Sequence, residues 1–270
     1  MNSFEAIIYG IIQGLSEFLP ISSSGHLALL PFVMKIQDPG LIFDLVMHLG
    51  TALAVITYFR KEIFEYAKTL TPALVNLKVA SPSLWFVRNF LFSTFISVLF
   101  IVALIPISKL ARDPFIIVFN LVFFGALLWV ADSYSKKREN LLNSPLESGM
   151  QWRIAFVIGM SQAMAIFPGV SRSGITLSAA LLLGMRRKEA GAYSFLLSLP
   201  IILAGILKEV PHLMTADNER LLVLFWGVLS SFVVGWLTIH FFMKLIGTIQ
   251  LKYFTFYRWL IAGFMIWLLN

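Results

Sequence analysis

The sequence predicts an all-α integral membrane protein with six transmembrane helices and two re-entrant helical hairpins in an inverted-topology repeat. First, 59% of the 270 residues are hydrophobic, only 13% are charged and the mean hydropathy is +0.84, whereas a soluble domain carries roughly 25% charged residues. Second, apolar segments long enough to cross a bilayer follow one another along the chain. Third, two further apolar regions are interrupted by proline, glycine and serine. We expect one membrane domain over residues 1–270.

The composition also limits the chemistry and the partners. The chain has no cysteine, so a disulfide framework, a thiolate metal site and a thiol nucleophile are excluded. Its net charge of +7 comes from short basic clusters between apolar runs, which indicates membrane topology rather than a nucleic-acid surface. The expected partner is therefore the lipid bilayer and not a nucleic acid, and a homodimer is left open.

Eight apolar elements are predicted in chain order. The first is a broken hairpin over 4–35, and spans follow it at 41–59, 89–108 and 115–134. The second is a broken hairpin over 150–185, and spans follow it at 190–207, 221–243 and 253–269. Crossing a hydrocarbon core takes roughly 20 residues of helix, and each half of a hairpin is shorter than that. Broken backbone at membrane depth is tolerated only against protein or a water-filled cavity, which favours re-entrant hairpins.

The basic residues predict the orientation. If each hairpin returns to the side it entered and each span crosses once, 15 of the 21 basic residues share one side: Arg60, Lys61, Lys68, Lys78, Arg88, Lys136, Lys137, Arg138, Arg153, Arg186, Arg187, Lys188, Lys244, Lys252 and Arg258. The positive-inside rule makes that side cytoplasmic and turns both termini outward. The two hairpins then enter from opposite sides, so the halves of about 1–134 and 150–270 form an inverted repeat.

The two breaks carry related sequences. The segment P-I-S-S-S-G-H at 20–26 resembles P-G-V-S-R-S-G-I-T at 168–176, and the matched serines are 149 residues apart. This alignment places Ser22, Ser24 and Gly25 against Ser171, Ser173 and Gly174. Inverted repeats with broken helices bring their breaks together near the bilayer midplane, where helix N-termini can hold an anion. We therefore expect the two serine clusters to meet.

The first break combines a carboxylate, hydroxyls and an imidazole. Gln13 and Glu17 are four residues apart and share one face of the first half-helix. Serine is a favoured N-cap, and the amides at a helix N-terminus bind phosphate. His26 follows Ser22 and Ser23 by four and three residues, so its imidazole can come within reach of a hydroxyl. Acidic and histidine side chains at membrane depth are costly and usually functional.

The second break places Arg172 in an apolar region, where a cation needs an anionic partner. Its planar donor fork suits phosphate, and Ser171, Ser173 and Thr176 could complete a cradle. A structural pair with Glu17 is the alternative, and the two roles are compatible if substrate opens the pair.

Asp44 and His48 are four residues apart within the first predicted span. An acidic neighbour can set the tautomer of a histidine, so this pair either supports the site or packs the helix. The chain has no P-loop, no H-E-x-x-H and no G-x-S-x-G motif, which removes the usual support for nucleotide hydrolysis and zinc proteolysis.

The motifs at the two breaks resemble the signatures of the undecaprenyl-pyrophosphate phosphatase family associated with bacitracin resistance. The resemblance rests on E-F-L-P-I-S-S-S-G-H preceded by Gln13, and on P-G-V-S-R-S-G-I-T. It extends to F-D-L-V-M-H-L-G-T-A-L-A-V, to S-F-L-L-S-L-P and to the F-x-x-Y-R of the last span, and so covers essentially the whole chain.

The resemblance implies a bacterial inner-membrane enzyme that converts undecaprenyl diphosphate to the monophosphate, with a site open to the periplasm or cell exterior. It also implies a divalent metal, Mg²⁺ or Ca²⁺, which we expect near Glu17. Ser23 matches the family's proposed nucleophile, His26 its histidine and Arg172 its essential arginine, whereas Gln13 occupies a position that is Glu or Gln. The expected catalytic residues are Glu17, Ser23, His26 and Arg172. The expected substrate-binding residues are Gln13, Ser22, Ser24, Ser171, Ser173, Gly174 and Thr176.

Three routes to hydrolysis remain open at this point. Ser23 could attack phosphorus while His26 or Glu17 takes its proton, His26 could be the nucleophile, or a metal-bound water could attack directly. The rival function is a polyprenyl-phosphate transporter or flippase, because inverted repeats with broken helices are also typical of secondary transporters.

Overall fold

The computed structural model is helical throughout the residues that it describes, which are 2–36, 39–75, 81–108, 113–136, 149, 151–213 and 218–269. The helices are α1 (Ser3–Phe18), α2 (Ser23–Met34), α3 (Leu41–Tyr58), α4 (Arg60–Val75), α5 (Pro82–Ser108), α6 (Pro114–Lys136), α7 (Trp152–Met164), α8 (Arg172–Leu182), α9 (Arg187–Leu213), α10 (Asn218–Leu245) and α11 (Lys252–Leu269). A helix therefore covers each predicted span, and a helix pair covers each predicted hairpin.

Both hairpins break at the predicted serine clusters. Ser22 and Ser171 are the N-caps of α2 and α8, and both have positive φ values, 75° and 70°. The hydroxyl of Ser22 accepts the amide N–H of Gly25 at 3.4 Å, and that of Ser171 accepts the amide N–H of Gly174 at 3.2 Å. The two breaks thus repeat one local geometry, in which a side-chain oxygen satisfies an amide of the first helical turn.

Four helices are long and apolar enough to span a membrane by themselves, and they lie at 82–108, 114–135, 187–208 and 219–245. A fifth span is available if α3 and α4 count together, although they are bent by 81°. The bend coincides with a change from the apolar α3 to the charge-bearing Arg60, Lys61 and Glu62 of α4. The chain is therefore a multi-pass membrane protein with four to five identified spans among its described residues.

The sixth predicted span, α11, is not among these helices. It has 18 residues, which is long enough, but Lys252 and Arg258 lower its hydropathy and it is not identified as a span. The arrangement of six spans and two re-entrant hairpins remains a prediction.

Close helix packing depends on glycine. A Cβ added at Gly10 of α1 would lie 2.1 Å from the Ser230 hydroxyl and 2.2 Å from the Gly227 carbonyl oxygen of α10. In the second hairpin, a Cβ at Gly159 of α7 would lie 2.5 Å from the carbonyl oxygen of Ser93 in α5. Small residues let helix backbones approach closely in membranes, where van der Waals packing supplies much of the association energy.

A buried ion pair joins the helices away from the breaks. Arg187 at the start of α9 binds the carboxylate of Asp132 in α6, and both side chains are buried. The second oxygen of Asp132 accepts the amide N–H of Leu251 at 3.0 Å, and Arg187 also donates to the carbonyl of Ile249. The ion pair and its hydrogen bonds hold the start of α9 and the turn before α11 against α6.

We predict that Gly10→Ala will lower the free energy of unfolding by about 1–3 kcal/mol, because the added methyl group overlaps α10. Gly263→Ala is the matched control, since a Cβ there meets no atom within 4 Å. Thermal unfolding of both variants in one detergent gives the comparison. Equal midpoints would contradict the close α1–α10 contact.

Candidate active site

The two helix breaks lie against each other. The hydroxyl of Ser24 in the first break accepts the amide N–H of Gly169 in the second at 3.3 Å. In return, the hydroxyl of Ser173 donates to the carbonyl of Leu19 at 3.1 Å. The two serine clusters therefore meet as expected, and each provides a hydrogen bond that the broken backbone of the other requires.

Glu17 is the centre of this contact. Its Oε1 accepts a hydrogen bond from Nη2 of Arg172 at 2.7 Å. Its Oε2 accepts the hydroxyl of Ser23 at 2.7 Å and the amide of Gln13 at 3.1 Å, and it lies 3.4 Å from Nε2 of His48. Only 5% of the Glu17 side chain and 14% of the Arg172 side chain are exposed. One buried carboxylate thus joins α1 to α2, α3 and α8.

Arg172 has a second fixed partner. Its Nη1 donates to the backbone carbonyl of Ser194 in α9 at 3.1 Å. The hydroxyl of Thr176 donates to the Arg172 carbonyl at 2.8 Å and also lies in hydrogen-bond contact with the Ser194 hydroxyl. The structure therefore shows the pair between Arg172 and Glu17, and the Ser194 carbonyl holds the guanidinium from the other side. Thr176 supports the first turn of α8 through its hydrogen bond to the Arg172 carbonyl.

The remaining predicted cradle residues surround the two caps, Ser22 and Ser171. The hydroxyls of Ser171 and Ser173 are 3.4 Å apart, and those of Ser22 and Ser24 are 3.2 Å apart. Ser22, Ser171, Ser173 and Thr176 are buried, whereas Ser24 is exposed. Ser24 is thus the most accessible of the predicted cradle hydroxyls.

His26 does not have the partner that its spacing suggested. Its Nδ1 lies 2.8 Å from the backbone carbonyl of Ser22, which can only accept, so Nδ1 carries the proton. Its Nε2 is 2.8 Å from the hydroxyl of Tyr257 in α11. The neutral imidazole therefore accepts from Tyr257, and Ser23 is hydrogen-bonded to Glu17 instead.

His48 belongs to the site, which resolves the open alternative for the Asp44–His48 pair. Nδ1 of His48 lies 2.7 Å from the backbone carbonyl of Asp44, and Nε2 faces Glu17. The ring is thus oriented by a main-chain carbonyl of the preceding helical turn and by the Glu17 carboxylate. The signal available in the sequence was a histidine inside an otherwise apolar span.

Arg258, which the orientation argument counted on the predicted inner side, has a structural role. It is fully buried, and its guanidinium donates to the backbone carbonyls of Leu121, Asn120, Gly169 and Val170 at 2.8–3.2 Å. The sequence could not distinguish this arginine from loop charges, because the carbonyls that it binds come from distant segments.

A cavity of about 240 Å³ adjoins the carboxylate. Glu17, His48, Arg172, Gln162 and Ser198 give it polar walls, and aliphatic side chains of α3, α5 and α9 close it. A small chamber lined by a cation, an anion and an imidazole is suited to a charged group.

The fit to a divalent metal depends on oxygen ligands. No cluster of three or more His, Cys, Asp or Glu side chains suited to an ion is found in the described part of the chain. Oε1 of Gln13, however, is buried beside Glu17 and has no hydrogen-bond partner there. Mg²⁺ typically takes one or two carboxylates and completes its shell with water and substrate phosphate. Glu17 and the Gln13 carbonyl oxygen fit such a shared site.

The comparisons with known proteins all give one family. The family model described as bacitracin resistance protein BacA matches residues 6–264. Three curated relatives, each named undecaprenyl-diphosphatase, align over nearly their full length. The protein of Moorella thermoacetica is 38% identical over 98% of this chain and 97% of its own. That of Marinobacter nauticus is 36% identical over 97% of each chain, and that of Caldicellulosiruptor bescii is 37% identical over 97% of this chain and 96% of its own.

The Glu17–Arg172 contact predicts strong thermodynamic coupling. Glu17→Ala should lower the free energy of unfolding by about 3–5 kcal/mol, because it leaves Arg172 buried and unpaired. We expect the double variant Glu17→Ala/Arg172→Ala to lose at least about 1 kcal/mol less than the sum of the two single variants.

The measurement is denaturant unfolding in detergent as a double-mutant cycle. The exposed Glu65–Lys68 pair in α4 is the control, and its coupling should lie within error. Additive losses at positions 17 and 172 would show that the two side chains do not depend on each other.

Proposed function

The chain belongs to the family of bacitracin resistance protein BacA, and from this premise we propose that it is an undecaprenyl-diphosphate phosphatase. It hydrolyses undecaprenyl diphosphate to undecaprenyl phosphate and inorganic phosphate. This reaction recycles the lipid carrier of peptidoglycan synthesis and confers bacitracin resistance. The observation that carries the proposal is the hydrogen bond from the Ser23 hydroxyl to the buried Glu17 carboxylate, next to Arg172.

That hydrogen bond favours an enzyme over a transporter. Binding and moving a polyprenyl phosphate requires cations and amide groups but no proton acceptor on a hydroxyl. A serine that donates to a carboxylate at 2.7 Å has the arrangement of an activated nucleophile. The three relatives described above carry the name of a hydrolase, which also supports phosphatase activity over the flippase alternative.

Substrate binding begins with the exchange of partners at Arg172. The diphosphate competes with Glu17 for the guanidinium, whose planar fork binds phosphate oxygens in pairs. The N-termini of α2 and α8 add backbone amides and helix dipoles. Ser24, the exposed hydroxyl, binds the phosphate directly in this proposal. Ser22, Ser171, Ser173 and Gly174 shape the two N-termini, and Thr176 holds the first turn of α8.

The reaction transfers the terminal phosphoryl group to Ser23. The Ser23 oxygen attacks the terminal phosphorus while Glu17 takes the hydroxyl proton. The bond from that phosphorus to the bridging oxygen breaks, and undecaprenyl phosphate leaves. Water then hydrolyses the phosphoserine to inorganic phosphate and free Ser23. Arg172 stabilises the negative charge of the transferring group throughout.

His26 is assigned a supporting position in this scheme. Its Nδ1 is occupied by the Ser22 carbonyl and its Nε2 by Tyr257, which favours Ser23 over His26 as nucleophile. Direct attack by water is the remaining alternative, and it predicts no phosphoenzyme.

A divalent cation, Mg²⁺ or Ca²⁺, completes the proposed site. Glu17 and the carbonyl oxygen of Gln13 would hold it together with the substrate. When bound, it supplies charge neutralisation of the diphosphate.

The proposed setting is the inner, cytoplasmic membrane of a bacterium. The chain crosses it six times, with α11 as the last span and the two hairpins re-entrant in an inverted repeat. The positive-inside rule applied to the basic loops supports a topology with both termini outside. The family resemblance supports a site that opens toward the periplasm or cell exterior. The polyprenyl diphosphate reaches the site from the bilayer. Association of two chains as a homodimer remains a prediction.

Phosphate release from undecaprenyl diphosphate by the detergent-purified protein tests the proposed reaction. Ser23→Ala and Arg172→Ala should each lower kcat by at least about 100-fold, because they remove the nucleophile and the stabilising charge. A chelator should abolish release, and added Mg²⁺ or Ca²⁺ should restore it. Ser161→Ala, which removes a hydroxyl bonded only to Val157 of its own helix, is the matched control.

Rapid quench during turnover separates the routes. A phosphoserine at Ser23 supports covalent transfer, whereas full activity in Ser23→Ala would reject it. Folded wild-type protein that releases no phosphate would leave the polyprenyl-phosphate transporter as the better hypothesis.

Single cysteines test the orientation, because the chain has none of its own. Asp113→Cys, in the exposed turn before α6, should react with an impermeant maleimide from outside intact spheroplasts. Lys61→Cys, exposed at the start of α4, should react only after permeabilisation. The opposite pattern would invert the proposed topology.

A further inference from the structure

Gln162 of α7 is the counterpart of Gln13 in the inverted repeat. The two positions are 149 residues apart, which is the offset that relates the two serine clusters. Gln162 follows by three residues Gly159, where α7 closely approaches α5, just as Gln13 follows Gly10 on α1. Both glutamine side chains are buried. The proposed reaction so far uses only the first of them.

The side-chain amide of Gln162 is fixed through its nitrogen. Nε2 donates to the hydroxyl oxygen of Ser97 in α5 at 3.1 Å and to the backbone carbonyl of Leu197 in α9 at 3.1 Å. A backbone carbonyl can only accept, so this contact also identifies which end of the amide is the nitrogen. Both amide hydrogens are therefore used, and the carbonyl oxygen points away from these two partners.

That oxygen, Oε1 of Gln162, is buried and accepts no hydrogen bond from any residue that the structure describes. Gln162 lines the cavity of about 240 Å³ together with Glu17 and Arg172. Buried polar atoms in proteins nearly always have a partner, from the chain or from ordered water. An acceptor beside a polar cavity without a donor in the described chain is therefore suited to a donor that enters the cavity.

The other polar groups along the cavity are already engaged. The hydroxyl of Ser198 donates to the carbonyl of Phe195 at 2.6 Å. Arg172 and His48 both contact the carboxylate of Glu17. Among the described polar groups that line the cavity, Oε1 of Gln162 is thus the acceptor with unused capacity.

The chemistry of Oε1 limits what it can hold. An ionised phosphate oxygen is itself an acceptor, so the amide oxygen does not bind it, whereas a water molecule has two hydrogens to donate. Glu17 and Arg172 connect this cavity with Ser23, because Glu17 accepts the Ser23 hydroxyl at 2.7 Å and both residues line the cavity. A phosphoryl group on Ser23 that Arg172 holds would therefore lie beside the cavity.

We propose that Gln162 is a positioning residue that holds, through Oε1, the water that hydrolyses the phosphoserine. The inference rests on the proposed function and concerns its second step. The water oxygen bonds to phosphorus while the bond from phosphorus to the Ser23 oxygen breaks. The Ser23 oxygen takes back the proton that Glu17 received in the first step. Both hydrogens of the water leave with the phosphate, as H₂PO₄⁻.

The acceptor acts by orientation. A hydrogen bond from one water hydrogen to a rigid oxygen directs a lone pair of the water toward phosphorus, and small errors in such placement cost large factors in rate. Gln162 is held from α5 and α9 before any ligand arrives, so this placement requires no rearrangement of the side chain. Attack by Ser23 in the first step uses no water. Loss of Oε1 should therefore slow the second step selectively.

Gln162→Met tests this selectivity, because methionine has a similar length and lacks the amide oxygen. Undecaprenyl diphosphate with a radioactive terminal phosphate labels Ser23, and an excess of unlabelled substrate then starts the chase. In Gln162→Met, the rate of loss of label from Ser23 should fall at least about tenfold, while rapid-quench measurement of the labelling rate should give a value near that of wild type. Labelled protein should accumulate during turnover. Ser161→Ala, at the neighbouring position of α7, should match wild type in both rates.

Each contrary outcome rejects the inference in a different way. Equal slowing of labelling and of loss of label would indicate that Gln162 only supports the packing of α7. An unchanged loss of label with a higher Mg²⁺ concentration for half-maximal activity would make Gln162 a metal ligand instead. Wild-type protein that releases phosphate without labelling Ser23 would reject this inference and leave the phosphatase intact. Wild-type protein that releases no phosphate would reject the proposed function itself.

A structure of the wild-type protein with orthovanadate gives a second measurement that does not depend on a folded variant. Vanadate bound to a serine oxygen forms a trigonal bipyramid that resembles the transition state of phosphoryl transfer. Its apical oxygen opposite Ser23 occupies the position of the attacking water. That oxygen should lie within about 3.2 Å of Oε1 of Gln162. An apical oxygen that does not contact Gln162 would reject the assignment.

Discussion

The contact between Glu17 and Arg172 is the constraint on which the rest of the structure depends. A charge at membrane depth is costly unless another charge and hydrogen bonds compensate it. Glu17 and Arg172 come from different hairpins, and each compensates the other at 2.7 Å. Because the pair forms only when the two breaks face each other, it ties the hairpins together. It also places the Ser23 hydroxyl against a carboxylate.

The broken backbone is the second cost, because its polar groups lack helical partners. Side chains supply the missing hydrogen bonds. Ser22 and Ser171 cap the new helices, while Ser24 and Ser173 bond across to the opposite break. Arg258 adds donors to the carbonyls of the second break, and Asn120 donates to the Pro168 carbonyl at 2.8 Å. Non-helical backbone at this depth persists because protein satisfies it. The serine-rich motifs therefore stabilise both breaks.

Two cavities of different character lie beside α1. The smaller one is lined by Glu17, Arg172 and His48, and the larger one is apolar and opens toward lipid. They lie on nearly opposite faces of α1, and the first break lies at the end of that helix. A continuous helix at the same place would keep its amides internally bonded and could not offer them to a phosphate.

The sequence by itself determined the position of most helices, the two breaks and the residue types of the site, because these are local properties. Apolar runs located the described helices other than α4, which had no predicted counterpart, although α5 begins at Pro82 and not at residue 89. Proline, glycine and serine marked both breaks. The hydrogen bonds of Ser23 and His26 were decided only by the tertiary structure. The partner of His26 is 231 residues away, and Arg172 is 155 residues from Glu17. The same holds for Arg258, which sequence position grouped with the loop charges, and for His48, whose role depends on how α3 packs against α1. Spacing along a chain reveals neighbours within one helix, whereas only the packing of helices determines which side chains meet across a break.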